Sequence, residues 1–191
     1  MLKAYAYAVL TLVFKSSLMA QGYETQQFDL IKIIEKAEIR FYPPAMKIKT
    51  PKSNGFNALF GYISGNNTNN TKIAMTTPVY MTSDDDGNGI MEFVLPKAIK
   101  KEHTPAPLSD NVEVYESDSG YYIAYSFGGY AVDWWVEKAA NTLRNIANSN
   151  HIQLIGDPIL LVYNSPYKLI NRKNEVLFQI DKKTLSALNI E

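Results

Sequence analysis

Few side chains in this sequence are of the types that carry out covalent chemistry. The 191 residues contain no cysteine and two histidines, which excludes a thiol nucleophile, a thiolate metal site and disulfides. His103 lies in a proline-containing loop and His151 follows a predicted helix, and we interpret both as polar surface residues. The sequence contains no G-x-S-x-G, P-loop, G-x-G-x-x-G or H-E-x-x-H pattern. It therefore predicts a protein that is not an enzyme, with no catalytic residue and no metal site.

Two glutamates are the best candidates for a catalytic carboxylate, should the chain nevertheless be an enzyme. Glu92 lies in the apolar segment IMEFVL and Glu175 in NEVLFQI. A carboxyl group in an apolar site has a raised pKa and can act as a general acid, which would suit a small hydrolase. We expect Glu92 to point outward from its strand and Glu175 to have a structural role, so this alternative ranks last.

The segment 84–89 partly matches a calcium-binding loop. Asp84, Asp86, Asn88 and Gly89 occupy positions one, three, five and six of such a loop. The twelfth position is Leu95, where calcium requires a bidentate glutamate. We interpret the segment as a hairpin turn.

Composition narrows the class of partner. The 19 basic and 19 acidic residues balance, and no basic block exists that would neutralise phosphates, so we expect no nucleic-acid partner. Aromatic residues are abundant, with 13 Tyr, 8 Phe and 2 Trp. Because aromatic side chains favour strands and apolar pockets, the composition argues against an all-α fold.

Residues 1–20 have the layout of a secretory signal peptide. Lys3 precedes the apolar run Ala4–Phe14, and the segment KSSLMA leads to a cleavage site after Ala20. The run is too short to span a bilayer comfortably, although an uncleaved interfacial anchor is an alternative. We expect an exported mature domain of residues 21–191, periplasmic or secreted, with no stable membrane insertion after cleavage.

The rest of the sequence predicts the same order of elements twice. The first half, about 28–96, reads as a strand to the turn Tyr42–Pro44, a strand over Ala45–Thr50, a helix after Ser53 or Asn54, and strands over Lys72–Met81 and Ile90–Leu95. The second half, about 111–181, reads as strands 112–116 and 121–127, helix 132–147, and strands 159–163 and 175–180. In this second helix Val132, Trp135, Leu143 and their neighbours form the predicted inward face, and Trp134 lies off it. The repeat suggests two similar halves that meet face to face.

Seven collinear segments resemble the SOUL/haem-binding protein family. They are IRFYPPA (39–45), GFNALFGYISGNN (55–67), KIAMTTPV (72–79), MEFVLP (91–96), TPAPLSDNVEV (104–114), SFGGYA (126–131) and YNSPYKLINRKNEV (163–176). The resemblance implies an α+β fold: a distorted antiparallel β-barrel flanked by two helices, built as a pseudo-twofold repeat of a strand-strand-helix-strand-strand unit. It also implies non-covalent binding of haem or another tetrapyrrole in an apolar cleft, and we expect an exported carrier or sink.

The family motifs carry over a set of ligand-binding positions. They are Phe56, Leu59 and Phe60 on the first helix, with Ile63 added from the same face, and Tyr163 and Lys168 in the last hairpin loop. We add Arg172 as a partner for a haem propionate. The alternative for the four helix residues is that they simply pack the helix on the sheet.

The sequence departs from the family at the position of a proposed iron ligand. Some animal members have a histidine in the motif that reads IRFYPP here, and Phe41 occupies its place. No axial histidine is identified, so hydrophobic burial would carry most of the affinity for haem. An effector-binding module for other amphipathic small molecules is therefore the main alternative function.

Overall fold

The computed structural model describes residues 22–84 and 86–188. The predicted signal peptide, residues 1–20, lies outside the described residues and stays a prediction. Within the described residues, no helix combines the length and apolar character needed to cross a membrane.

The chain forms an α+β structure dominated by one antiparallel sheet. Its helices are α1 Gly55–Ile63, α2 Asp133–Ser149 and α3 Lys182–Ala187. Its strands are β1 Glu24–Thr25, β2 Asp29–Ile34, β3 Ala37–Tyr42, β4 Ala45–Pro51, β5 Thr76–Thr77, β6 Val79–Ser83, β7 Gly89–Val94, β8 Glu113–Ser117, β9 Gly120–Gly128, β10 Leu154–Val162 and β11 Lys173–Ile180. The large sheet has nine strands in the order β2-β3-β9-β11-β10-β6-β7-β4-β8, and β1 pairs with β5 separately. The sheet curls without closing, which fits the expected distorted barrel.

The order of the strands is symmetric about the middle of the sheet. The junction between β10 and β6 divides the sheet into β3-β9-β11-β10 and its counterpart β8-β4-β7-β6, with β2 as an added edge strand. Along the chain, β3-β4-α1-β6-β7 is followed by β8-β9-α2-β10-β11, so each repeat has its helix between its second and third strands. The first strand of each repeat pairs with the second strand of the other repeat. The predicted pseudo-twofold repeat is therefore confirmed by the topology.

Two hydrophobic cores lie under the two longer helices. Leu59, Tyr62 and Ile63 of α1 pack on β4 and β7 in the first half, and Ala140 and Leu143 of α2 pack on the other half of the sheet. Because side chains alternate across a strand, every second residue of the sheet points away from the helices. A third buried cluster, with Tyr42, Tyr80, Leu161, Tyr163 and Leu177 among its members, forms on that inner face.

Some element predictions were wrong. The predicted single strand over 28–40 is a hairpin, β2 and β3, with Glu35 in the left-handed region at φ 55°. The turn reverses the chain after Ile34, so one segment contributes apolar residues from two strands. In the second helix, Val132 and Trp135 were expected to face inward but are 45% and 40% exposed, because the inward face begins one turn later. The short helix α3 was not predicted.

Candidate functional site

The predicted ligand-binding residues of α1 divide between two environments. Leu59 and Ile63 are buried in the core beneath the helix. Phe56 and Phe60 are 45% and 49% exposed, and their rings stack with centroids 5.6 Å apart. The rings of Phe56 and Phe93 also pack edge to face, with centroids 5.2 Å apart. Helix α1 therefore presents an aromatic pair to solvent while its other apolar residues hold it on the sheet.

The three predicted residues around the last hairpin loop are buried to different degrees. Tyr163 is buried, and its hydroxyl donates a 2.6 Å hydrogen bond to Glu175. Lys168 is half-buried. Arg172 is buried, and its Nη1 donates to the carbonyl oxygens of Ser165 and Lys168 at 2.8 and 2.7 Å. Arg172 thus fixes the shape of the loop.

The loop itself exposes large apolar side chains that the sequence reasoning missed. Tyr167, Leu169 and Ile170 are 89%, 75% and 74% exposed. At the base of the loop the Arg172 guanidinium lies 4.3 Å from the ring centroid of Tyr130, another exposed aromatic residue. The run YKLI could have signalled this surface, because apolar residues between turn residues have no strand or helix to bury them.

A second pair of aromatic rings lies at the start of α2. Trp134 and Trp135 stack with ring centroids 4.0 Å apart, and Trp134 is 61% exposed. The expectation that Trp134 lies off the inward helix face is confirmed.

The inner face of the sheet encloses a cavity of about 330 Å³. Residues from eight of the nine strands line it, so the sheet curls around this face. Four tyrosines contribute to the lining: Tyr42, Tyr80, Tyr115 and Tyr122. The volume is at the lower end of the range for small-molecule sites.

Glu92 lies at this cavity, in contrast to the prediction that it points outward. The residue is 7% exposed, and its Oε2 accepts hydrogen bonds from Lys47 Nζ at 3.1 Å and the Tyr115 hydroxyl at 2.9 Å. Lys47 Nζ also lies 3.6 Å from the ring centroid of Tyr80. Burial lowers the pKa of Lys47 despite the opposing charge of Glu92, and burial raises the pKa of Tyr115. The prediction failed because a curled sheet encloses the face that an open sheet would leave in water.

Glu175 occupies the corresponding strand of the other half and is fully buried. Arg40 binds it through two hydrogen bonds of 2.8 Å, Ser126 donates another of 2.8 Å, and Lys173 Nζ lies 3.1 Å away. Burial alone would raise the pKa of this carboxyl, but Arg40, Lys173 and Tyr163 together hold that pKa at about 2. Both lone-pair-bearing oxygens are therefore engaged, and the group is ionised at neutral pH.

The part of the chain that the structure describes contains no group of three or more His, Asp or Glu side chains placed to hold a metal ion. Asp84 instead accepts hydrogen bonds from the backbone N–H groups of Asp86 and Asn88, as expected for a hairpin turn. His103 and His151 are both exposed, in agreement with their interpretation as surface residues.

Solved structures share the fold at very low sequence identity. A hydrolase from Listeria innocua superposes with a TM-score of 0.56 at 8% identity, over 78% of this chain and 94% of that one. The C-terminal domain of EcmrR gives a TM-score of 0.50 at 14% identity, over 78% of this chain and 99% of that one. At these identities the likeness concerns the fold alone.

Comparison of the sequence with those of other proteins identifies relatives and a family. Heme-binding protein 2 of Homo sapiens is 27% identical over 155 residues, and that of Mus musculus is 25% identical over 155 residues. Each alignment covers 73% of this chain and 75% of the relative. The family profile described as SOUL heme-binding protein matches residues 23–179. The chain therefore belongs to the SOUL heme-binding protein family.

Proposed function

We propose that this chain binds haem or another tetrapyrrole without a covalent bond, on the outer surface formed by α1 and the last hairpin loop. The observation that carries the proposal is the exposure of large apolar side chains on both elements: Phe56, Phe60, Tyr167, Leu169 and Ile170. The sheet register links the two elements: Phe56 packs on Phe93, and Phe93 lies opposite Val79. Val79 in turn lies opposite Val162, the last residue of β10 before the loop. Large apolar groups that lie near one another on a surface mark a binding site more often than scattered ones do. The name of the curated relatives supports the same ligand class.

The exposed residues fit the chemistry of a tetrapyrrole. The ligand is a flat apolar ring system with carboxylate side chains, so it needs an apolar platform and a cation at its rim. The stacked pair Phe56 and Phe60 supplies an aromatic platform, and Lys168 supplies an ammonium group between the exposed residues of the loop. When bound, haem would supply an iron centre. The affinity of haem for the chain would come from burial of its apolar ring system.

The buried members of the predicted set support the site from below. Leu59 and Ile63 anchor α1 to the sheet. The Nη1 group of Arg172 donates its hydrogen bonds to carbonyl oxygens of the loop backbone. Tyr163 donates its hydroxyl to Glu175. Direct contact of these four residues with a ligand stays a prediction, and we assign them the role of positioning the exposed residues.

We further propose a carrier or sink rather than an enzyme. Glu175, one of the two candidate catalytic carboxylates, is surrounded by Arg40, Ser126, Tyr163 and Lys173, so no oxygen is free to take a proton from a substrate. An exported location stays part of the proposal, because it depends on residues 1–20.

Titration of the purified protein with haemin and with protoporphyrin IX tests the proposal. Loss of an aromatic contact of about 1.5–3 kcal/mol corresponds to roughly 10- to 100-fold in affinity. We expect Phe60→Asp to weaken both ligands by that factor, and Lys168→Glu to weaken them less. Absorbance in the Soret region and tryptophan quenching report binding.

Two controls decide the interpretation. Ile33→Asp changes another exposed apolar residue, 61% exposed on the edge strand β2, and should leave binding unchanged. Replacement of His103 and His151 together should also leave it unchanged. The proposal is wrong if neither ligand binds at micromolar concentration, or if binding is insensitive to both Phe60→Asp and Lys168→Glu in variants that retain the wild-type circular dichroism spectrum.

A further inference from the structure

The inner cavity contains the groups that recognise an ammonium ion. A cation is bound well where a carboxylate and an aromatic face meet it together, with the charge within about 6 Å of the ring centroid. Glu92 and Tyr80 provide this pair at 3.1 Å and 3.6 Å from a single nitrogen atom. The hydroxyl of Tyr115 holds the same carboxylate oxygen in place.

The sheet register fixes this arrangement. Tyr80 on β6 lies directly opposite Glu92 on β7, and Lys47 on β4 lies opposite Tyr115 on β8. Strands β6, β7, β4 and β8 are neighbours in the sheet. The four side chains therefore stand side by side on the inner face, on rigid elements rather than on loops.

The surroundings of the site also favour a positive charge. Glu116 and Asp118 line the same cavity and are exposed. Together with Glu92 they give three carboxylates, against the single ammonium group of Lys47 among the lining residues. Tyrosine rings supply most of the remaining large surface, and their faces carry negative partial charge.

We propose that this cavity is an organic-ammonium site whose innermost position is occupied by the chain's own Lys47. Lys47 is 7% exposed, and its ammonium group makes the contacts that a ligand cation would make. A tethered group competes as an effective concentration in the millimolar range. In the native protein a free organic cation must therefore compete with the effective concentration of Lys47, and weakly binding small cations are excluded. Lys47 is thus the residue that determines the specificity of the cavity.

This site is separate from the one proposed for a tetrapyrrole. Phe56, Phe60 and Lys168 do not line the cavity, so failure of either proposal leaves the other standing. The proposal gives the alternative of an effector-binding module a defined chemical class, and it names the side chain that closes the cavity to that class.

The test removes the side chain and returns its missing part in solution. The protein is the full-length chain with Lys47→Ala, and the added compound is n-propylammonium chloride. The n-propylammonium ion has the same carbon and nitrogen atoms as the deleted part of the lysine side chain. We expect millimolar n-propylammonium to raise the unfolding temperature of the variant by at least about 2 °C and to give a calorimetric binding signal. We expect no shift in wild type, where Lys47 occupies the position.

Matched controls separate this effect from a general effect of the amine. Lys49→Ala removes a half-buried lysine two residues along β4, which pairs with Glu113, and should show no response. The double variant with Lys47→Ala and Glu92→Gln should lose the response, and 1-propanol, which is uncharged, should not replace the amine. Equal binding by wild type and Lys47→Ala, or no binding by a folded Lys47→Ala, overturns the proposal.

A measurement on wild type keeps the proposal testable if Lys47→Ala does not fold with or without the amine. The ring of Tyr80 should shift the ε-methylene protons of Lys47 upfield in the NMR spectrum. The resonances must be assigned, because Lys173 Nζ also lies near a ring, 4.4 Å from the centroid of Tyr163. An assigned Lys47 resonance without an upfield shift would show that Lys47 does not occupy the site.

Discussion

The buried ion pair between Arg40 and Glu175 should account for a large part of the stability of the second half of the sheet. Their side chains are 3% and 0% exposed. The fall in the pKa of Glu175 from its ordinary 4.5 to about 2 corresponds to about 3 kcal/mol. Loss of one partner from a buried pair costs about 3–5 kcal/mol, because the other charge remains buried. We therefore predict that Glu175→Gln lowers the free energy of unfolding by about 3 kcal/mol at pH 7.

The pH dependence of this difference follows from the direction of the shift. The pKa of Glu175 is lower in the folded protein than in the unfolded chain, so the carboxylate stabilises the fold fully above pH 4.5. That contribution is lost as the pH falls from 4.5 towards about 2. The difference in unfolding free energy between wild type and Glu175→Gln should therefore shrink over this range. Urea denaturation followed by circular dichroism at several pH values measures it.

The matched control is Glu137→Gln, which removes the carboxylate from the exposed pair with Arg144. Exposed pairs contribute about 0–1 kcal/mol, so this variant should be close to wild type. A Glu175→Gln variant that loses less than about 1 kcal/mol, or a loss that does not change between pH 7 and pH 3, would refute the reasoning.

Two further variants test the packing of the helices. Leu143→Ala opens a cavity beneath α2, where Leu143 is fully buried, and should cost about 2–5 kcal/mol in urea denaturation, whereas Asn145→Ala on the exposed face of the same helix should have little effect. Tyr62→Phe removes the 2.7 Å hydrogen bond that its hydroxyl donates to the carbonyl of Pro105 and should cost about 1–3 kcal/mol, because a buried carbonyl loses its partner. Tyr167→Phe, at an exposed tyrosine, is the control, and a cost equal to that of Tyr62→Phe would contradict the assignment.

Much of the fold could be predicted because local pattern and long-range pairing agree over most of the chain. Helix α2 was predicted from apolar spacing, and Leu143 and Ala140 lie where that spacing places them. The hairpin of β2 and β3 could not be predicted in the same way. Its turn depends on Glu35 adopting a left-handed conformation, which no glycine or proline signals in the sequence.

The site was harder to predict than the fold because sequence pattern does not tell which face of an element remains open. On α1, Phe56 and Phe60 share the apolar pattern of Leu59 and Ile63, yet they face solvent while the others face the sheet. Periodicity gives the direction of a side chain relative to its neighbours. Whether that direction leads into a core, a cavity or water depends on the curl of the sheet, which arises from pairing between distant strands.

The two halves use one carboxylate position for two different purposes. Glu92 on β7 and Glu175 on β11 lie on equivalent strands of the repeat, and each binds a buried cation and a tyrosine hydroxyl. Arg40 holds Glu175 with two hydrogen bonds, and that glutamate does not line the inner cavity. Glu92 is held by a single lysine bond and does line it. A bidentate guanidinium fixes a carboxylate more rigidly than one ammonium group can. Glu175 is therefore held in place by its partner, whereas the exchange that we propose, of Lys47 for a free organic cation, requires only the loss of one ammonium contact at Glu92.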